Sequence, residues 1–279
     1  MNTLTAPRAI AALSDIVQHY DAVFCDVWGV LHDGIEKFAP AEAALIDARA
    51  RGRPVVLVTN SPRRAQSVAD FLHEIGVSSA AYDCIATSGD VTRALIRAAS
   101  PRILHIGIEA HLGLFAGLDI ERVDEERAEV VVVTGLEDDQ NHSPDDYSPL
   151  LKRLAERGLP LICANPDIIA PRGDRMVWGA GALARDYAAL GGEGRQAGKP
   201  FRPIYDFAMQ QIGAADPSLI LAIGDGLGTD IRGANDYGLD ALLVLEGIHA
   251  KTLGQDMSSV AASLRHEKLS ACYAIASLR

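Results

Sequence analysis

Cysteine is scarce and scattered, with four residues in 279 at positions 25, 84, 163 and 272 and no CxxC pair. That spacing excludes a zinc ribbon or a disulfide-stapled scaffold and predicts reduced thiols, three of them in apolar runs. Aromatic residues make up only 5% of the chain. Basic residues are outnumbered by acidic ones, 26 to 37, for a net charge of −11. No basic cluster offsets that balance, so neither nonspecific nucleic-acid binding nor attachment to an anionic membrane is expected. Long hydrophobic runs are missing as well. No segment approaches the roughly 20 apolar residues that span a bilayer, and Met1–Ile16 lacks a sustained apolar stretch. The expectation is a cytoplasmic protein with no membrane and no nucleic-acid partner. A bound anion would have to be held by local features such as a lysine, backbone N–H groups or a metal.

Apolar residues make up 48% of the chain and charged residues 23%, the composition of a packed globular protein. Short apolar runs alternate with amphipathic stretches. The pattern predicts strands at 22–27, 54–59, 102–107, 129–135, 159–164, 218–224 and 240–245. Helices are predicted at 40–51, 63–75, 89–99, 144–157, 202–212 and 229–237. Strands separated by helices of this length read as parallel neighbours with right-handed crossovers. Runs apolar throughout, Val130–Val133 above all, read as strands covered on both faces. Ser61-Pro62 and Ser143-Pro144-Asp145 are helix starts, and Gly52, Gly76, Gly158 and Gly238 are helix stops.

The residues that carry chemistry sit at strand ends. Val23-Phe24-Cys25 runs into Asp26 and then a glycine turn, and Leu221-Ala222-Ile223-Gly224 runs into Asp225, with Asp230 five residues on. Open α/β sheets place their chemistry at such carboxyl ends. Asp26, Asp225 and Asp230 would repel one another if clustered without a cation. A hard divalent ion removes that cost, and magnesium suits few carboxylates, water and a phosphate. Thr59 offers a hydroxyl at another strand end, and the backbone N–H of Asn60 opens a turn into a helix, which together suit a phosphate oxygen. Lys199 adds positive charge. Such a set fits phosphoryl transfer, where positioning and charge stabilisation dominate. The set falls into two blocks, 26–60 and 199–230, and the intervening stretch has a βαβ pattern of its own. An inserted domain at 80–177, within a core made from 1–79 and 178–279, is the simplest organisation.

In order and type, Asp26, Thr59, Lys199, Asp225 and Asp230 resemble the four motifs of the haloacid dehalogenase-like (HAD) hydrolase superfamily. The strongest single match is Gly224-Asp225-Gly226-Leu227-Gly228-Thr229-Asp230-Ile231. The insertion after Thr59-Asn60, with Asn165-Pro166-Asp167 near its end and Gly198-Lys199-Pro200 beyond, resembles the class IIA cap branch. Phosphatases of the NagD and 4-nitrophenylphosphatase type belong to that branch. The resemblance implies an α/β fold: a Rossmann-like parallel-sheet core with an inserted, smaller α/β cap of the C2 type. It also implies a Mg²⁺-dependent hydrolase, a phosphatase of a small phosphorylated metabolite. Asp26 would be the nucleophile that takes the phosphoryl group. Magnesium would be held by Asp26, the backbone carbonyl of Trp28 and Asp225, with Asp230 acting through water or by orienting its neighbours. Thr59, Asn60 and Lys199 would hold the phosphoryl group, and the cap would meet the substrate at Asn165 and Asp167. Caps of this branch often dimerise, so the resemblance allows a homodimer.

One position departs from the family pattern. Its phosphatases usually carry a second aspartate two residues after the nucleophile, as general acid and then base, and here Trp28 stands there. Loss of such a group costs about 10²–10⁴-fold in rate. His32 is the candidate substitute, with Asp33 beside it. Trp28 itself is open to two readings, a packing residue or an apolar platform at the site mouth. Asn165-Pro166-Asp167 is equally a structural turn. Two other functions stay open: a ligand-binding protein without turnover, and a carbon–halogen or carbon–phosphorus hydrolase whose cap presents Arg172 or Arg175.

Overall fold

The computed structural model describes residues 6–172, 175–247 and 256–279. The chain forms two compact units. The first takes Met1–Thr59, Ala69–Ala86 and Tyr205–Arg279, the second Asn60–Val68 and Thr87–Ile204. In chain order the strands begin with β1 (Arg8–Ala9), β2 (Ala22–Cys25), β3 (Val55–Thr59) and β4 (Cys84–Thr87). There follow β5 (Arg102–Ile106), β6 (Glu121–Arg122), β7 (Val130–Val133), β8 (Leu161–Cys163), β9 (Ile169–Arg172), β10 (Arg175–Trp178) and β11 (Gly194–Gln196). The last are β12 (Ile220–Gly224), β13 (Asp240–Val244) and β14 (Tyr273–Ile275).

In the first unit the seven-stranded sheet runs β1-β14-β13-β12-β2-β3-β4. Pairing is parallel from β1 through β3. The central strands are apolar at nearly every position and fully buried: Val23, Phe24 and Cys25 in β2, Val55–Val58 in β3, Ile220–Ile223 in β12. Buried apolar side chains on both pleat faces require cover on both sides, the condition under which an all-parallel sheet is stable. The helix Arg202–Ile212 has the bounds the periodicity predicts. Gly238 ends the helix Arg232–Tyr237 at φ 91°, a left-handed cap that favours glycine.

The second unit is a smaller α/β body. Its parallel sheet runs β11-β8-β7-β5-β6, and β9 and β10 form a separate antiparallel hairpin. The Val130–Val133 run shows why continuous apolarity was needed. Val131 and Val133 pack with Leu151, Leu154 and Tyr187, while Val130 and Val132 pack with Ile96, Ile103 and Phe115 on the opposite face. This unit does not stop at residue 177. The helix Ala180–Ala189 puts Ala180, Leu183, Ala184 and Tyr187 into its core, and β11 pairs with β8, so it runs on to Ile204 and also takes in Asn60–Val68. No disulfide forms among the described residues, and Cys25 and Cys163 are buried. Among the described residues no helix is long and apolar enough to cross a membrane.

Candidate active site

In the first unit, three adjacent strands end side by side. Asp26 follows the last residue of β2, Asp225 follows the last of β12, and Thr59 closes β3. Cys25 pairs with Ile223 on one side and Leu57 on the other. The chain leaves β2 for β3 on one flank, while β12 occupies the other. That is a topological switch point, where ligands bind beyond the carboxyl ends of the strands.

Asp225 and Asp230 are buried, at 1% and 4% exposure. One ligand oxygen from each of Asp26, Asp225 and Asp230 lies within 4.8 Å of the others. Three carboxylates held that closely repel unless a cation shares them, and an all-oxygen donor set of this kind fits a hard divalent ion. The surrounding backbone is shaped to the carboxylates. A Cβ on Gly29 would stand 2.6 Å from Asp225 Oδ2, and one on Gly247 would stand 2.0 Å from it. Gly29 also has φ +87°, which side chains rarely adopt. Gly29→Ala is therefore expected to cost about 1–3 kcal/mol of stability and to weaken Mg²⁺ binding by moving Asp225. Urea unfolding and a metal titration read both effects; an alanine variant matching wild type in each would show that the close approach has no consequence.

Asp230 sits on a widened turn. The N–H groups of Asp230 and Ile231 both donate to the Gly226 carbonyl, at 2.9 and 3.1 Å. The Asp230 Oδ2 accepts from the Gly226 N–H at 3.0 Å and from Thr229 Oγ1 at 3.3 Å. Such π-type turns occur often at functional sites, and here the turn returns a carboxylate towards the strand end it has just left.

The loop after Asp26 is tightly bonded. Leu31 and His32 N–H groups both donate to the Val27 carbonyl, and the Gly29 N–H donates to the His32 carbonyl at 2.8 Å. Trp28 packs over the same loop: a Cβ on Gly34 would lie 3.2 Å from its Nε1. The side chain is half-buried. His32 is buried, at 5% exposure, with its ring edge-to-face against Phe71 at 5.4 Å. Its Nδ1 accepts the Gly34 N–H at 2.8 Å, which assigns the proton to Nε2. Burial pushes its pKa down to about 4, against a smaller opposing pull from Asp33. The imidazole is thus uncharged at neutral pH and orders the loop, properties that suit neither a general acid nor a strong base. Asp33 is exposed, and its Oδ1 accepts the Ile35 and Glu36 N–H groups. The bond from Glu36 is foremost in holding its carboxyl below the usual range.

The depressed His32 pKa carries a signed consequence. The unfolded imidazole protonates near 6.5 and the folded one near 4. Between those values the unfolded state binds more protons, so stability falls as pH drops through that window, by about 3 kcal/mol in all. Urea unfolding at pH 7 and pH 4.5 should show a smaller acid loss in His32→Asn than in wild type. The rate profile above pH 5 should keep its shape in the variant. A limb near pH 6.5 that disappears with the imidazole would restore the acid–base role.

The second unit holds its own polar cluster. Asn165 Oδ1 accepts the Asp167 N–H at 3.0 Å, closing an Asx turn. Asn60 Nδ2 donates to Asp167 Oδ1 at 2.8 Å, and the backbone of Lys199 also bonds to the Asn60 side chain. Asn60, Asn165 and Lys199 are all buried, the lysine to 4% exposure. The Arg172 and Arg175 side chains lie outside the described residues. Sequence reasoning missed the packing roles of Gly29 and Gly247 and the side-chain role of Asn60. Only Gly29 left a signal, as a turn glycine just after the nucleophile candidate.

Two family models match the chain: haloacid dehalogenase-like hydrolase over residues 23–121 and a HAD-hydrolase-like model over 196–266. Those stretches contain Asp26, Thr59, Lys199, Asp225 and Asp230. A haloacid dehalogenase-like hydrolase from Brucella suis is 47% identical, with a TM-score of 0.85 over 97% of this chain and 100% of that one. The chain belongs to the haloacid dehalogenase-like hydrolases. D-glycerol 3-phosphate phosphatase from Mycobacterium tuberculosis is 29% identical over 243 residues, 85% of this chain. The match spans 66% of that relative's length. A glycerol phosphate phosphatase of the same organism, solved in complex with calcium, is 25% identical with a TM-score of 0.65, covering 88% of this chain and 76% of that one.

Proposed function

We propose that this haloacid dehalogenase-like hydrolase is a Mg²⁺-dependent phosphatase of a small phosphorylated metabolite, with Asp26 as nucleophile. The observation that carries the reading is the convergence of Asp26, Asp225 and Asp230 at the switch point of a parallel sheet. Relatives named as phosphatases, one of them a calcium complex, support it. Magnesium would be held by Asp26, the Trp28 carbonyl, Asp225 and Asp230, and when bound it would neutralise charge on the phosphoryl oxygens and on the carboxylates. An Asp26 carboxylate oxygen attacks phosphorus; the phosphorus–oxygen bond to the alcohol breaks, and the departing oxygen takes a proton from water, leaving hydroxide. A second water then attacks phosphorus and gives a proton to that hydroxide as the bond to Asp26 breaks, and inorganic phosphate leaves with the carboxylate restored. The Thr59 hydroxyl, the Asn60 N–H and the Lys199 ammonium hold the phosphoryl oxygens through both steps. Asn165 and Asp167 lie on the cap segment assigned to the substrate side.

The net charge of −11 favours a protein without nucleic-acid or membrane partners. A cytoplasmic location and a homodimer are part of the same reading. Trp28 supplies no transferable proton, so kcat/KM, which reports transfer to Asp26, should rise as the leaving alcohol becomes more acidic. The test is hydrolysis of p-nitrophenyl phosphate, glycerol 3-phosphate, sugar phosphates and nucleoside monophosphates, with and without Mg²⁺. Metal-dependent turnover, with the highest kcat/KM on the aryl ester, is the expected result. Confirmed Mg²⁺ binding with no ester hydrolysed would turn the assignment to ligand binding without turnover, the reading that Trp28 favours.

A further inference from the structure

We infer that the Asn60 carboxamide is a positioning residue that sets the backbone of Lys199, and so the place of its charge. The functional half of this rests on the proposed role of Lys199 at the phosphoryl group. Asn60 follows Thr59 directly, and its side chain meets a residue 139 positions later. Its Oδ1 accepts the Lys199 N–H at 2.6 Å, and its Nδ2 donates to the Lys199 carbonyl at 3.0 Å. One carboxamide therefore takes both backbone polar groups of the lysine, as a neighbouring strand would. The second Nδ2 proton goes to Asp167 Oδ1 at 2.8 Å. Both donors of the amide are then used, together with its acceptor.

Asparagine suits this position for chemical reasons. An aspartate would aim an oxygen at two acceptors, the Lys199 carbonyl and the Asp167 carboxylate. A serine lacks the reach and the second donor. Space is equally constrained. A Cβ on Gly198 would lie 2.4 Å from Asn60 Oδ1, 2.7 Å from Pro166 Cδ and 2.9 Å from Ser88 Oγ. Ser88 is fully buried, and its hydroxyl has no hydrogen-bond partner among the described residues. The segment before Lys199 thus passes between fixed neighbours with no slack, and the carboxamide sets its register. Through Asp167, the same carboxamide links the lysine to the Asn165–Asp167 turn.

Three variants and two kinds of readout test the inference. In Asn60→Ala, hydrogen exchange at the Lys199 amide should quicken by about tenfold or more as its acceptor is lost. Inorganic phosphate affinity, by calorimetry with Mg²⁺, and kcat/KM on p-nitrophenyl phosphate should each fall by about 10- to 100-fold. Asn60→Asp keeps the shape and should show the same functional loss, which covers the case in which alanine prevents folding. Adding Asp167→Asn to that variant returns a donor to the pair and should recover about tenfold of kcat/KM, a coupling that a general loss of stability does not produce. A Lys199 amide that stays protected in Asn60→Ala would overturn the inference. So would wild-type phosphate affinity and kcat/KM in either folded single variant. A wild-type enzyme that neither binds phosphate nor hydrolyses any ester defeats the phosphatase reading instead, and amide exchange still decides whether Asn60 holds Lys199.

Discussion

Asp26→Asn should lower turnover of every phosphate ester by about 10⁴-fold or more while the protein keeps its fold. A carboxamide oxygen carries no full negative charge and forms no stable phosphoryl ester, so both chemical steps lose their path. The local backbone has no reason to change. The Asp26 N–H donates to the Ile223 carbonyl at 2.8 Å, a bond that asparagine keeps. One of three neighbouring negative charges is removed, so the metal-free variant should melt at or above the wild-type temperature. Hydrolysis assays and thermal unfolding read the two effects together. More than a tenth of wild-type turnover in a pure variant would take Asp26 out of the nucleophile role.

The second large effect is expected at Asp225. It is the most deeply buried of the three carboxylates, and two glycine positions pack against it. Asp225→Asn should weaken Mg²⁺ binding by at least about 100-fold. The readout need not be activity. At a Mg²⁺ concentration 100 times the dissociation constant, mass action stabilises a binding-competent protein by about 2.7 kcal/mol. Wild type should therefore melt several degrees higher with Mg²⁺ than without, and the variant should show no such rise. Asp230→Asn should cost less affinity, because one of its oxygens is already committed to Gly226 and Thr229 within the turn. An Asp225→Asn protein with the wild-type response to Mg²⁺ would move the metal elsewhere.

The sheet was most legible where physics leaves the fewest alternatives. Strands β2, β3, β7 and β12 are buried on both faces, so their apolarity is continuous and their ends stand out. Edge strands escaped. Glu121–Arg122 and Gly194–Gln196 are short and polar, and their pairing comes from neighbours that local composition does not reveal. The helix Ala180–Ala189 escaped for a different reason. A Cβ on Gly181 would lie 1.9 Å from the Pro166 carbonyl oxygen. Close backbone contact demands small residues there, and small residues blur the amphipathic stripe by which a helix is recognised. That helix and β11 carry the second unit beyond residue 177, the expected edge of the insert.

The candidate site residues divide the same way. Asp26, Thr59 and Asp225 stand out in the sequence because a strand end is a local feature, and Asp230 because its spacing from Asp225 is short. His32 could be found but not understood. Its neutrality follows from burial against Phe71, 39 positions away in the sequence. The Asn60 side chain gave no signal, since its partners lie in segments that only the fold of the second unit brings to it.

The central claim is a phosphoryl group carried on Asp26, and Trp28 makes that species easier to catch. With no acid–base group at that position, hydrolysis of the aspartyl-phosphate should be slow against its formation. The measurement is a rapid acid quench with ³²P-labelled p-nitrophenyl phosphate and Mg²⁺, followed by peptide mapping. The expected result is a burst of p-nitrophenol with label on the peptide containing Asp26, and no label in Asp26→Asn. Metal-dependent turnover with label on another residue, or undiminished turnover in Asp26→Asn, would contradict it.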